Sequence, residues 1–143
     1  MKITQLSVFA ENKPGRVVAP CRCLADAGVE IRALSLAETA RFGVLRMIVD
    51  HPARAAQLLE AAGFVVKATA VLAVKVSGGA NGLAKALAAI EGLGLNAEYM
   101  YAFPFDQGGQ AVLIFQFEDL DAAIVRMQGA GVQLVARKEL QAD

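Results

Sequence analysis

Two stretches far apart in this 143-residue chain read as variants of one another, and that repetition limits the fold more than composition does. GVEIRALSLA (Gly28 to Ala37) aligns with GLNAEYMYAF (Gly94 to Phe103) at an offset of 66 residues. The same offset lays LSVFAENKPG, from Leu6, over LAVKVSGGAN, from Leu72, without a gap. Farther on, VLRMIVDHPARA (Val44 to Ala55) matches VLIFQFEDLDAA (Val112 to Ala123) at an offset of 68, and AAGFVV (Ala61 to Val66) matches GAGVQL (Gly129 to Leu134) at the same offset. The offset changes in the connection after each second strand, where insertions are tolerated. A repeat of this kind means two copies of one supersecondary unit. The copies are expected over residues 1–69 and 70–143.

Both copies carry the same order of periodicities. ITQLSVFA alternates polar and apolar residues, as a half-buried strand does. From Gly15 to Ala27, the apolar Val17, Cys21 and Leu24 fall on one helical face, and Gly28 ends the helix. EIRALSLA alternates again, and GVLRMIVD reads as a third strand. Pro52 opens a second helix, with Asp50 or His51 near its N-cap, that runs through ARAAQLLEAA to Gly63. FVVKA closes the unit as a fourth strand and runs almost directly into the next copy. There the helices are GLAKALAAIEGL and LDAAIVRMQGA, the latter preceded by the dipole-matching carboxylates Glu118 and Asp119. The order β-α-β-β-α-β is the split βαβ, ferredoxin-like pattern. The expected fold class is α+β: two such units in tandem, each an antiparallel four-stranded sheet with helices on one face.

Composition narrows function by exclusion. Fourteen basic residues balance fourteen acidic ones without a run of one sign, so no nucleic-acid surface is expected. The longest uncharged stretch, Gln107 to Phe117, is too short to cross a membrane as a helix. The amino terminus alternates and reaches Glu11 early, unlike a signal peptide, so the chain reads as cytoplasmic. Cys21 and Cys23 point in different directions on a helix, which argues against a disulfide or a shared metal. His51 is the one histidine, and SGGANG fits neither a Walker loop nor a dinucleotide fingerprint. With no metal cage and no nucleophile–base pair legible, the chain reads as non-catalytic and free of cofactors.

The loop after the first strand is the stretch with binding chemistry. In Asn12-Lys13-Pro14-Gly15, Pro fixes its own φ and Gly permits a sharp turn and a close approach. The helix start behind it offers unpaired N–H groups and partial positive charge to a carboxylate. The Asn12 amide both donates and accepts, which suits an α-amino or α-carboxylate group. Pro20 falls early in the following helix and either loosens its first turns or marks a later start, near Val18. Tyr99, Tyr101, Phe103 and Phe105 alternate and so share one strand face, as core aromatics do, with Glu98 and Met100 on the other.

A strand, a loop reading NKPG, an apolar helix and an AGVEIRAL entry to the second strand resemble an ACT domain. The whole chain is similar to the small stand-alone proteins made of two ACT domains, with ENKPG, IRALSLA, FGVLR and EYMYAF in place. That resemblance implies a non-catalytic regulatory or sensor protein that binds a free amino acid where two ACT units meet. It implies Asn12, Pro14, Gly15 and Arg16 around the ligand's main-chain atoms, with Glu98, Tyr99 and Met100 lining the facing strand. The symmetric site would pair the loop Gly79 to Gly82 with Ile31, Arg32, Ala33 and Leu34. Here the second copy departs from the pattern: Ala80-Asn81 replaces Pro14-Gly15, and Gly78 replaces Asn12. The turn can survive there, because Asn81 can adopt a positive φ. No buried charge is legible for a charged ligand side chain, which points to an apolar, aromatic or imidazole one. The high apolar fraction, 56%, and open sheet edges imply a homodimer. The alternative is a detached regulatory subunit that docks on an amino-acid biosynthetic enzyme, as the small subunit of acetolactate synthase does.

Overall fold

The computed structural model describes residues 1–11, 13–38, 42–77, 80–104 and 109–142. Strand β1 (Ile3–Glu11) leads through a turn into helix α1 (Val18–Asp26). Strands β2 (Ile31–Glu38) and β3 (Phe42–Val49), helix α2 (Pro52–Ala61) and strand β4 (Val65–Val76) complete the first pass. Helix α3 (Ala80–Gly92), strands β5 (Ala97–Pro104) and β6 (Ala111–Phe117), and helix α4 (Leu120–Gly129) repeat it, before a short α5 (Arg137–Leu140). The closing strand of the first pass and the opening strand of the second are one continuous β4 of 12 residues.

The chain forms two compact units: Thr4–Thr69 with the C-terminal residues from Leu140, and Ala70–Glu139 with Met1–Ile3. In the first, β3 pairs antiparallel with β1 and β2, setting Leu6 and Leu34 opposite Met47, and Val8 and Leu36 opposite Leu45. That register turns Leu6, Val8, Leu45 and Met47 to one face, where they close a core with Leu24, Val29, Val49, Ala55 and Leu59. In the second, β6 pairs with β4 and β5. Its core joins Leu72, Val74, Ile90, Leu113, Phe115, Phe117, Ala123 and Met127. These are the repeat partners of Leu6, Val8, Leu24, Leu45, Met47, Val49, Ala55 and Leu59 at the two sequence offsets. Both copies therefore bury the same positions, and each large side chain so buried contributes about 1.5–3 kcal/mol.

Each unit also holds one chain terminus. The Gln141 side chain donates to the carbonyls of Thr4 (2.7 Å) and Val49 (3.2 Å) and accepts from the Thr4 N–H (2.9 Å). The Ala142 N–H donates to the Asp50 carbonyl at 2.7 Å. Lys2 pairs with Asp121 at 3.0 Å in the other unit.

The architecture departs from two separate four-stranded sheets. The strands form one six-stranded sheet in the order β2-β3-β1-β4-β6-β5. Where the repeat places a closing strand for the second copy, Leu134 makes only an isolated bridge to Val74. Two hydrogen bonds hold that bridge, from the Lys75 N–H to Gln133 (2.9 Å) and from the Val135 N–H to Ala73 (2.8 Å). The chain then leaves for α5, whose Glu139 carboxylate accepts the Ala136 N–H at 2.8 Å and caps the turn. Helix boundaries shift as well. Helix α1 starts at Val18, so Pro20 sits buried in the first turn, where its missing N–H has no helical acceptor to lose. Helix α3 starts at Ala80, two residues before the expected Gly82.

Candidate functional site

The turn between β1 and α1 is built by Gly15, whose φ of 90° lies in the left-handed region that a side chain resists. The Arg16 N–H donates to Lys13 (3.4 Å) and the Ala19 N–H to Gly15 (3.1 Å), so the chain bends once before helix α1 begins. Two clefts flank this bend. One, of about 440 Å³, is lined by Lys13 through Val18 and Leu36. The other, of about 620 Å³, runs along Phe9, Ala10 and Glu11 to Gly63, Phe64 and Val65, with Lys13 to Arg16 and Ala19 on its other wall.

Arg16 belongs to both clefts. Its guanidinium pairs through Nη2 with Glu38 at the end of β2, and the side chain is only 16% exposed. Nη1 is buried with no hydrogen-bond partner among the described residues. A buried donor left unpaired costs about 1–3 kcal/mol, more when charged, and an incoming acceptor recovers that cost. The floor beneath it is Gly43 of β3. A Cβ there would lie 3.1 Å from Arg16 Nη1 and 3.2 Å from Leu36 Cδ1, so the absence of a side chain lets the guanidinium lie close to the sheet.

Among the described residues, the equivalent place in the second copy carries none of these groups. Gly82, Ala102, Pro104 and Ala111 stand where Arg16, Leu36, Glu38 and Gly43 stand in the first. Asn81 does not carry the turn: it is the second residue of α3, and no described non-glycine residue has a positive φ. A Cβ on Gly82 would fall 2.0 Å from the Ser77 carbonyl oxygen, so helix and strand end are packed backbone to backbone there.

The remaining sequence candidates divide among these places. Pro14, Gly15 and Arg16 come together at the bend, whereas Asn12 and Gly79 lie outside the described residues, as do Gly78 and Phe105. Ile31, Arg32, Ala33 and Leu34 start β2, line neither cleft at the bend, and include a bulge between Ile31 and Ala33. Glu98, Tyr99 and Met100 start β5, with the equivalent bulge between Ala97 and Tyr99. Met100 lines a cleft of about 380 Å³ with Leu87, Ile90 and Phe115 in the second unit. Tyr99 and Tyr101 are half-buried and Phe103 is buried, on the face of β5 away from Met100. Glu38, Gly43 and Leu36 were not singled out from sequence. Their signal was the joint replacement of the whole set between copies.

His51 is the N-cap residue of α2, its Nδ1 3.1 Å from Asp50 Oδ1. Partial burial pushes the Asp50 carboxyl up, but the His51 contact, the Glu30 N–H bond and the nearby Arg32 hold it below its ordinary range. Asp119 caps α4 by accepting the Ala122 N–H at 3.1 Å. Burial pushes the Cys21 thiol up, and the Cys23 thiol sits 3.8 Å from the Leu58 carbonyl. Among the described residues no three His, Cys, Asp or Glu side chains converge to hold a metal, and no helix is long and apolar enough to cross a membrane.

The profile of the ACT domain pair matches residues 1–142. No curated protein matches the chain. Protein BT0572 from Bacteroides thetaiotaomicron has a solved structure 34% identical to this chain, with a TM-score of 0.88 over 98% of this chain and 96% of that one. The ligand-free regulatory subunit of aspartate kinase from Thermus thermophilus shares 18% identity, at a TM-score of 0.62 over 89% of this chain and 91% of that one. The corresponding subunit from Thermus flavus is 18% identical, at 0.57 over 90% and 92%. Identity that low is a likeness of fold alone. With its duplicated β-α-β-β-α core and a family profile spanning nearly its full length, this chain belongs to the ACT domain pair family.

Proposed function

We propose that the protein is a non-catalytic amino-acid sensor whose effector binds at the β1–α1 bend. The observation that carries this reading is Arg16: a guanidinium half-neutralised by Glu38, with Nη1 buried beside two clefts and without a hydrogen-bond partner among the described residues. The ligand carboxylate takes Nη1 and the positive end of helix α1, which are suited to the same charge. Asn12 and the turn at Pro14 and Gly15 hold the α-amino end. The ligand side chain extends along Phe9, Ala10, Phe64 and Val65, an apolar wall that suits an apolar, aromatic or imidazole group. The family pattern also implies ligand contact for Glu98, Tyr99 and Met100.

Thermal unfolding against each of the twenty amino acids tests this. A ligand at a hundred times its dissociation constant stabilises by about 2.7 kcal/mol, a rise of roughly 5–11 °C for a chain of this size. One amino acid or a related few should raise the midpoint. The rise should vanish in Arg16→Ala and Asn12→Ala and shrink in Gly43→Ala, which displaces the guanidinium. Loss of the same rise in Met100→Ala would bring Met100 into ligand binding. No response to any amino acid sinks the sensor. Stoichiometric co-purification with a biosynthetic enzyme would then favour the docking subunit, the arrangement named for the aspartate kinase regulatory subunits that share this fold.

A further inference from the structure

Phe9, Phe42 and Phe64 are the phenylalanines of the first unit, and none is among the buried residues of its core. Phe9 and Phe64 are half-buried, and Phe42 is 41% exposed. In the second unit the described phenylalanines, Phe103, Phe115 and Phe117, are all buried. A ring is the largest apolar group in a chain without tryptophan, so leaving three of them partly in water forgoes burial that a ligand can restore. We infer that the effector is an amino acid carrying a benzene ring, phenylalanine or tyrosine, and that Phe9 and Phe64 select it. The inference rests on the sensor reading and narrows its ligand.

The three rings meet at the β1–α1 bend. Phe9 and Phe64 line the larger cleft there, the one that also holds Arg16. Phe9 and Phe42 line a further cleft of about 210 Å³ that shares Ala10 and Glu11 with it. Phe9 and Phe42 already pack edge to face, with centroids 5.9 Å apart and planes at 75°. A ligand ring beside Phe9 extends that arrangement, and ring–ring contact adds attraction beyond the area it buries. Ala10, Ala19 and Gly63 are small residues of the same cleft, so its volume of about 620 Å³ has room for a phenyl side chain.

Charge at the mouth argues the same way. Glu11 and Lys13 pair with each other at 3.6 Å, so neither offers an unbalanced charge to a basic or acidic ligand side chain. The repeat supplies the contrast. At its offsets Lys75, Gln110 and Val132 stand where Phe9, Phe42 and Phe64 stand, so the copy without Arg16 is also without the rings. Guanidinium and aromatic wall occur together, as a ligand with a carboxylate at one end and a ring at the other requires.

Calorimetric titration of the full chain with each of the twenty amino acids tests this. L-phenylalanine or L-tyrosine should bind tightest, and L-leucine about tenfold more weakly. L-cyclohexylalanine, which keeps the size of phenylalanine without its π face, should bind about fivefold more weakly than L-phenylalanine. Phe9→Leu and Phe64→Leu should each pull the phenylalanine-to-leucine ratio toward one while leucine still binds, with folding checked by the unliganded thermal midpoint. Phe42→Leu changes an exposed ring and spares the core; it should lower the ratio about twofold. Tightest binding by an amino acid without a benzene ring, lost in Arg16→Ala, overturns the aromatic class and leaves the sensor standing. A phenylalanine preference that all three leucine variants leave unchanged also overturns it. If no amino acid binds, the sensor falls and this inference falls with it.

Discussion

The first and second β–α connections hold equivalent places in the repeat and are built differently. In the first, Gly15 bends the chain, α1 waits until Val18, and Arg16 lies over Gly43 against Glu38. In the second, helix α3 begins at Ala80, and the space Arg16 would need is filled by the contact of Gly82 with the Ser77 carbonyl. The cores beneath are made of matching positions, so the divergence is local. Two copies of one fold can differ in the side chains at a connection without disturbing the packing beneath, provided the whole set is replaced together. Gly82, Pro104 and Ala111 are that joint replacement.

The largest effect should come from trying to reopen the second connection. Gly82→Ala gains helix propensity worth about 1 kcal/mol but drives a Cβ into the Ser77 carbonyl. A net loss of about 3 kcal/mol in urea unfolding is expected. A neutral or stabilising result would mean that the two connections are less different than they look.

The next contrast uses one substitution product at equivalent positions. Gly15→Ala must hold φ near 90° with open space around it, so it should cost about 1–2 kcal/mol of backbone strain alone. Asn81→Ala, inside α3, should stabilise by a few tenths of a kcal/mol. Equal effects at both positions would erase the distinction between bend and helix.

The smallest effect separates the two αβ starts by pH. Because the folded Asp50 carboxyl sits below its unfolded value of about 3.9, its contribution is present at neutral pH. It is lost as the pH falls through the folded value. Asp50→Asn should therefore flatten the acid side of the stability curve, read as unfolding midpoint against pH. An unchanged curve would leave α2 with no acid-sensitive start.

The repeat was legible because hydrophobic period and glycine placement survive in both copies, and the fold order followed from it. Less legible were the ends of elements. Pro20 signalled trouble in α1 but not whether the helix bent or started late, since both satisfy a missing N–H. The closing strand of the second copy read like the first, but Glu139 caps a helix start that a strand pattern does not reveal. At the site, NKPG marked the bend, and Arg16 came with it. Glu38 and Gly43 are 22 and 27 residues farther along, on other elements, and only the comparison between copies could have pointed to them.

The sequence by itself determined that there are two copies, which positions each buries, and that the first connection alone keeps the Asn-Lys-Pro-Gly turn. These rest on local periodicity and on backbone freedom, which a residue carries wherever it sits. Only the tertiary structure decided that Arg16 is tied to Glu38 and that its buried Nη1 has no hydrogen-bond partner among the described residues. That outcome depends on the register of β2 against β3, which brings Glu38 beside Gly43 and opens a floor no single segment specifies.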